Sequence, residues 1–293
     1  MEMPLVEQVR SFNRTVTERL GVLNDHFLGR NHPLGEARLL WEIGEQRTEV
    51  RELRRRLALD SGYMSRLLHS LEGQGLIVVA ASRTDGRVRM VHLTKAGRRE
   101  RMELEHRADA FARSLLEPLR ESQRAKLVGA MGQVERLLIA SQVTIAPADP
   151  TSPDVRWCFE QYFSELGQRF ETGFDPALSI SANADELTPP NGLVLVVRLR
   201  EEPVGCGALK LHENAPAEIK RMWVAPRVRG LGLGRRLLET LEHHARDVGV
   251  AVLHLETNRA LIEAIQLYRD CGYREVEAFS DEPYAHRWFE KRL

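Results

Sequence analysis

Apolar residues along this chain fall into two kinds of repeat. In the first half the spacing is mostly helical. Val50, Leu53 and Leu57 recur at three- and four-residue steps, and Met64, Leu67, Leu68 and Leu71 follow at i, i+3, i+4 and i+7. Between the stripes, Leu59-Asp60-Ser61-Gly62 breaks the period and offers Asp60 or Ser61 as a helix N-cap. Gly73 and Gly75 end the second stripe. The stretch LIVVAASRTDGRVRMVHLTKAG then reads as strand, turn, strand, with Asp85-Gly86 as the hairpin signal. In the second half, strands alternate with helices. GLVLVVRLREEPVGCGALKLH reads as two strands around a Glu202-Pro203 turn, and AEIKRMWV, Ala217 to Val224, as a third strand stopped by Pro226. From Leu233 the stripe Leu233, Leu237, Leu238, Leu241, Ala245 and Val248 marks an amphipathic helix. The two regimes meet at APADPTSPD, Ala146 to Asp154, with three prolines in nine residues. Such a segment cannot continue a helix and has little to bury. The pattern predicts one domain over residues 1–145, a linker over 146–154 and a second domain over 155–293.

Length agrees, since 293 residues suit two domains. Charge adds a distinction. The chain is neutral overall, but residues 1–145 hold 24 Lys and Arg against 19 Asp and Glu, and the rest holds 18 against 23. A basic half and an acidic half suit different partners. No apolar run approaches the roughly eighteen residues of a membrane span, and MEMPLVEQVR has no signal-peptide pattern. Cys158, Cys206 and Cys271 are odd in number and far apart, which disfavours a disulfide framework or a zinc site. His243 and His244 are adjacent, and H-E-x-x-H is absent. We expect a cytoplasmic protein without membrane contact and without a metal site.

Two short helices joined by a tight turn fit a helix-turn-helix, whose second helix enters the major groove. Away from its apolar stripe that helix carries Ser65, Arg66 and His69, with Ser61 and Tyr63 at its start. Arg83, Arg87 and Arg89 cluster at the hairpin, as on a wing that touches phosphates or the minor groove. These eight residues are the candidate DNA contacts. From Leu34 to Gly97 the sequence resembles the MarR family of winged-helix transcription regulators. The resemblance is carried by SRLLHSLEGQGLI and by Asp85-x-Arg87 leading into Val91-His92-Leu93-Thr94 and Gly97. It implies a homodimer on a palindromic double-stranded DNA operator, joined through terminal helices. Phe12, Val16, Leu20, Leu23 and Phe27 before the motif, and Leu127, Met131, Val134 and Leu138 after it, are the candidate dimer stripes; they equally suit the private core of one subunit.

In the second half, RVRGLGLG lies between a strand and a helix start. The first helical N–H groups lack partners, the helix dipole favours an anion there, and glycine lets a phosphate come close. The dinucleotide fingerprint fails because Arg235 stands where a third glycine belongs, and the Walker G-K-[ST] is absent. Arg229-Gly230-Leu231-Gly232-Leu233-Gly234 instead matches [QR]-x-x-G-x-[GA]. Over about residues 155–293 the sequence is similar to the GNAT acetyltransferases, whose coenzyme A pyrophosphate loop has this pattern. Asn258 after a strand and Leu267-Tyr268-x-x-Cys271-Gly272-Tyr273 also fit that family. The resemblance implies a mixed, mostly antiparallel α/β fold behind a mainly-α winged helix. It also implies acetyl-CoA as cosubstrate, pyrophosphate on amides across Val228 to Arg235, and pantetheine along Met222, Trp223 and Val224.

Acetyl transfer to an amine needs a base, because a lysine-like amine of pKa about 10.4 is almost wholly protonated at neutral pH. Glu218 is the candidate base, with an ordinary exposed strand glutamate as the alternative. The Val224 amide is the candidate oxyanion donor, and the resemblance makes Tyr268 the proton donor to the leaving sulfur. Arg169, Tyr284, His286 and Trp288 are candidate contacts for the amine acceptor, a small molecule or amino acid rather than a protein, and Arg169 and His286 suit an acceptor that carries a carboxylate, such as an amino acid. Two functions remain open: a DNA-binding regulator that also acetylates an amine, and a regulator whose second half senses acetyl-CoA without catalysis.

Overall fold

The structure, a computed structural model, describes residues 3–21, 26–82, 84–180, 182–213 and 215–293. The chain divides into two compact units, Met1–Gly129 and Ala130–Leu293.

The first unit is a winged helix. Helix α1 (Met3–Leu20) is followed by α2 (Leu34–Ile43), β1 (Thr48–Glu49), α3 (Val50–Arg56), α4 (Ser61–Gly73), β2 (Ile77–Ala81), β3 (Arg89–Leu93) and α5 (Lys95–Leu116). Asp60 is the N-cap of α4, its side chain accepting from the Tyr63 amide at 2.8 Å. Met64, Leu67, Leu68 and Leu71 are buried against Leu39, Leu40, Leu53 and Leu104. The strands form a three-stranded antiparallel sheet in the order β1-β3-β2. At the foot of the wing, Thr94 caps α5 by accepting from the Gly97 amide. A Cβ at Gly97 would fall 1.9 Å from the Leu76 carbonyl oxygen, so only glycine fits there.

Of the expected dimer stripes, Phe27 belongs to the private core of this unit, at 8% exposure. Leu23 lies outside the described residues. Neither α1 nor α6 (Glu121–Ser141), which crosses the division between units, has a buried residue among those described. Phe12, Leu20, Met131 and Leu138 are exposed.

The second unit continues with β4 (Val143–Ala148), α7 (Pro153–Arg169), β5 (Gly192–Leu199), β6 (Glu202–Lys210), β7 (Ala217–Val224), α8 (Leu233–Asp247), β8 (Val252–Thr257), α9 (Ile262–Asp270), β9 (Arg274–Val276) and β10 (Arg287–Arg292). A seven-stranded sheet runs β4-β5-β6-β7-β8-β10-β9. Every pairing is antiparallel except β7 with β8. The sheet and its helices enclose Val194–Val197, Leu209, Leu237, Leu241, Leu255 and Phe289.

Two expectations need correction. The proline-rich segment is no linker: Ala146–Ala148 complete β4, paired with Val194–Val196, and Ser152 caps α7 with Pro153 in its first turn. Pro147 is tolerated because β4 is an edge strand, where a missing donor can face away from the ladder. The hairpin turn is Arg200-Glu201, both at positive φ (51° and 69°), with Glu202-Pro203 already in β6. A two-residue turn between twisted strands needs that left-handed pair, here without glycine.

Candidate functional site

Strands β7 and β8 are in register only at Ala217↔Leu253 and Glu218↔His254, and then diverge. The divergence leaves a wedge in the sheet. A bulge reinforces it: Arg221 has φ of 54°, and Arg221-Met222 together oppose Gly207 of β6. A bulge of this kind bends its strand and re-aims the side chains on it. Ala225 N donates across to Val204 O. Successive strand amides alternate in direction, so the Val224 N–H points the other way, into the wedge.

Two cavities occupy the wedge, of about 440 and 210 Å³. They share Tyr162, Leu166, Met222, Leu261, Ala264 and Tyr268, and so meet at one point. The larger cavity runs from Met222, Trp223 and Val224 to Arg229, Gly230, Gly232, Leu233, Gly234 and Arg235. Gly230 and Gly232 have φ of 79° and 75°, and a Cβ added at either would meet nothing within 4 Å. The first backbone bond of α8 is Arg236 N to Gly232 O, at 3.1 Å. Among the described residues no acceptor meets the amides from Gly230 to Arg235. A turn of open amides at the N-terminus of a helix fits a diphosphate. Leu231 lies beside Gln133, Arg136 and Leu137 instead.

One wall of the larger cavity is held by Glu165. Its Oε2 accepts from Trp223 Nε1 at 2.9 Å and from Arg229 Nη2 at 2.6 Å, and Arg229 Nε also donates to Val224 O. Burial pushes the Glu165 carboxyl up, but Arg229, Trp223 and Arg169 outweigh it and hold it below the usual range. Arg169, expected beside the acceptor, lies in this larger cavity, tied to Glu263 at 2.6 Å and to Ala260 O.

The smaller cavity has a ring-lined wall of Phe163, Phe170, Phe174 and Tyr284 and a polar floor with Lys220, Arg221, Glu256 and Asn258. Tyr284 is placed as expected. His286 and Trp288 do not line the cavity: His286 is exposed, and Trp288 Nε1 donates to Ser280 Oγ, which itself bonds Glu256. Asn258, expected on the cosubstrate side, lies here with its side chain engaged by Tyr284 O and the Ala260 amide.

Glu218 lines neither cavity. It is paired with Lys220 at 2.8 Å and His212 at 2.7 Å. Burial raises its carboxyl, but these partners prevail and hold it below the usual range. Two carboxylates line the smaller cavity: Glu256, at 2.6 Å from Lys220, and Glu282, which accepts from Ser179 Oγ and the Ile180 amide. Sequence reading missed Glu256 and Tyr162. Glu256 alternates with core Leu253 and Leu255 along β8, a period-2 signal that was available in HLETN. Tyr268 is 6% exposed, at the junction, and burial pushes its hydroxyl well above the ordinary value.

In the first unit, Ser61, Tyr63, Ser65, Arg66 and His69 are all exposed on α4, with the Arg66 guanidinium 5.6 Å from the Tyr63 ring centroid. Arg87 and Arg89 are exposed on the wing, where Asp85 Oδ1 accepts from the Arg87 amide. Arg83 lies outside the described residues. Among the described residues there is no metal-ligand cluster of three His, Cys, Asp or Glu, and no helix long and apolar enough to cross a membrane.

The acetyltransferase (GNAT) family model matches residues 156–273, and the MarR family model matches residues 30–88. The chain is 36% identical over 143 residues to the "IAA acetyltransferase" of Azospirillum brasilense, covering 48% of this chain and 90% of that protein. It is 30% identical over 148 residues to the "uncharacterized N-acetyltransferase YjgM" of Escherichia coli (strain K12), covering 45% and 87%. Among solved structures, the PcaV transcriptional regulator from Streptomyces coelicolor aligns over 44% of this chain and 94% of its own, at 19% identity and a TM-score of 0.39. The chain belongs to the GNAT acetyltransferase family through its C-terminal half, and its residues 30–88 match the MarR family model.

Proposed function

We propose that the C-terminal unit transfers an acetyl group from acetyl-CoA to the primary amine of a small molecule, and that the N-terminal unit binds a palindromic operator as a homodimer. The observation that carries the enzymatic half is the meeting of two cavities at Tyr162, Met222 and Tyr268, one ending in the open amides of the glycine turn. Acetyl-CoA enters from that turn and the amine from the ring-lined side. Both reactants are then held together, and no covalent enzyme intermediate is needed.

The amides from Gly230 to Arg235 receive the pyrophosphate. The Val224 N–H meets the thioester oxygen as charge develops on it. The amine nitrogen bonds to the acetyl carbon, the carbon–sulfur bond breaks, and the amine gives up a proton while the sulfur leaves as thiolate. Glu256 takes the amine's proton in place of Glu218. Burial keeps Tyr268 protonated, so its O–H can hydrogen-bond the departing sulfur. The DNA half rests on the exposed polar face of α4 and the arginines of the wing.

The test is coenzyme A release, followed with a thiol reagent over a panel of small primary amines. Turnover supports the transferase, and acetyl-CoA binding without release for any amine favours the sensor. Tyr268→Phe is expected to lower kcat by about 100-fold, within the range of general acid–base effects, with acetyl-CoA affinity unchanged. Unaltered kcat would remove Tyr268 from the reaction.

A further inference from the structure

Most charged side chains around the wedge are matched within the unit. Lys220 has two carboxylates, Glu256 and Glu218; Arg229 has Glu165; Arg169 has Glu263. Glu282 is used up in holding the 179–180 segment, through Ser179 Oγ at 2.9 Å and the Ile180 amide at 2.6 Å. Arg221 is the exception. It lines the smaller cavity, yet among the described residues no carboxylate pairs with it. Its guanidinium lies 4.4 Å from the Phe159 ring centroid and 5.4 Å from that of Phe163, and one Nη donates to Ala182 O at 2.9 Å. One carbonyl cannot satisfy a five-donor fork. Burial pulls Arg221 below the ordinary arginine value, as expected for a cation short of an anion. The placement is also backbone-enforced, since Arg221 is the left-handed residue of the β7 bulge, one step from Met222 at the junction of the cavities.

A cluster of rings lines the same cavity. Phe174 is 5.6 Å from Phe163, 5.9 Å from Phe170 and 4.8 Å from Tyr284, centroid to centroid. The cavity therefore offers a planar cation with open donors, an apolar surface of ring size, and the Glu256 carboxylate.

We propose that Arg221 anchors the carboxylate of the acceptor, and that the acceptor is an α-amino acid with a large apolar side chain. This rests on the transferase reading for the identity of the smaller cavity as the acceptor site. The carboxylate forms charge-assisted, bidentate bonds to Arg221, the side chain packs on the rings, and the neighbouring α-amine faces Met222 and Tyr268.

The test uses the full-length protein and matched acceptors: phenylalanine and leucine, each against its amide and its decarboxylated amine. For the wild-type protein, kcat/KM is expected to be about 10- to 100-fold higher for the free acids. In Arg221→Gln and Arg221→Lys that ratio is expected to fall toward one. Calorimetric binding of the same six compounds in the presence of coenzyme A gives a readout independent of turnover. Acids binding no better than amides and amines to the wild-type protein overturns the proposal, whether or not acetyl transfer occurs. Preferential binding of the acids with no coenzyme A release for any compound would overturn the transferase and leave the anchor standing. A ratio unchanged in a folded Arg221→Gln would remove Arg221 as its source.

Discussion

The Lys220 ammonium stands 2.6 Å from the Glu256 carboxylate across the parallel pair β7–β8, just beyond the last residues in register. Burial alone would pull Lys220 down, but Glu256 and Glu218 outweigh it and hold the ammonium charged. The pair separates two carboxylates with different prospects. Glu256→Gln is expected to lower kcat by about 100-fold, on the scale of a lost base. Glu218→Gln is expected to leave kcat nearly unchanged. Steady-state kinetics of both variants checks this, and the reverse outcome would restore Glu218 as the base.

The glycine turn predicts a split between binding and chemistry. Gly232 has φ of 75° and caps α8 without a side chain. A β-branched residue there is strained in the left-handed region by about 1–2 kcal/mol, and its Cβ branches would crowd the space a phosphate needs. Because those branches exclude the phosphate, Gly232→Val is expected to raise the KM for acetyl-CoA by at least about 10-fold, a loss of about 1.4 kcal/mol in binding. The kcat at saturation should change little. A fall in kcat at unaltered KM would show that the turn does not hold the cosubstrate.

DNA binding should divide in the same manner. Arg66 is on the face of α4 expected to meet base edges, while Arg87 is on the wing. Arg66→Ala is expected to weaken operator binding by about 1–3 kcal/mol and to relax sequence preference. Arg87→Ala is expected to weaken all duplexes alike and to lower the salt dependence by about one counterion. Mobility-shift titrations at several salt concentrations distinguish them.

The first unit should be acid-sensitive through a buried polar network. Glu36 on α2 accepts from Ser70 Oγ at 2.7 Å and Gln74 Nε2 at 3.0 Å at the end of α4, and His32 bridges it to Glu100 on α5. Burial pushes Glu36 up, but Ser70, Gln74 and His32 prevail and hold it low. For Glu100 the Arg30 hydrogen bonds outweigh burial to the same end. A carboxyl depressed in the folded state stabilises fully above its unfolded value of about 4.3 and loses that contribution as pH falls through the folded value. Thermal melts from pH 7 to 3 should show this loss. Glu36→Gln should melt lower at pH 7 and show a shallower acid slope, and parallel slopes would count against the network.

Much of this protein is written in local pattern. Asp60 before a helical stripe, Asp85-Gly86 between two strands, and glycines before Leu233 each act within a few residues through capping, turn geometry or backbone freedom. Such interactions need no knowledge of the rest of the chain. The sequence therefore determined the winged helix, strand β7, the start of α8 and the open-amide turn. It misjudged Ala146–Ala148, because edge-strand pairing is supplied by β5, 46 or more residues later.

Only the tertiary structure decided which charged residues line which cavity. Glu218 and Glu256 are both strand glutamates in the sequence, and Arg169 and Arg221 are both arginines near aromatics. The splay of β7 from β8 and the bulge at Arg221 place Glu256 and Arg221 in the wall of the smaller cavity, while ion pairs hold Glu218 outside both cavities and Arg169 in the larger one. That choice depends on non-local register and on which counter-charge each group meets, and neither is encoded in the spacing of residues along one strand.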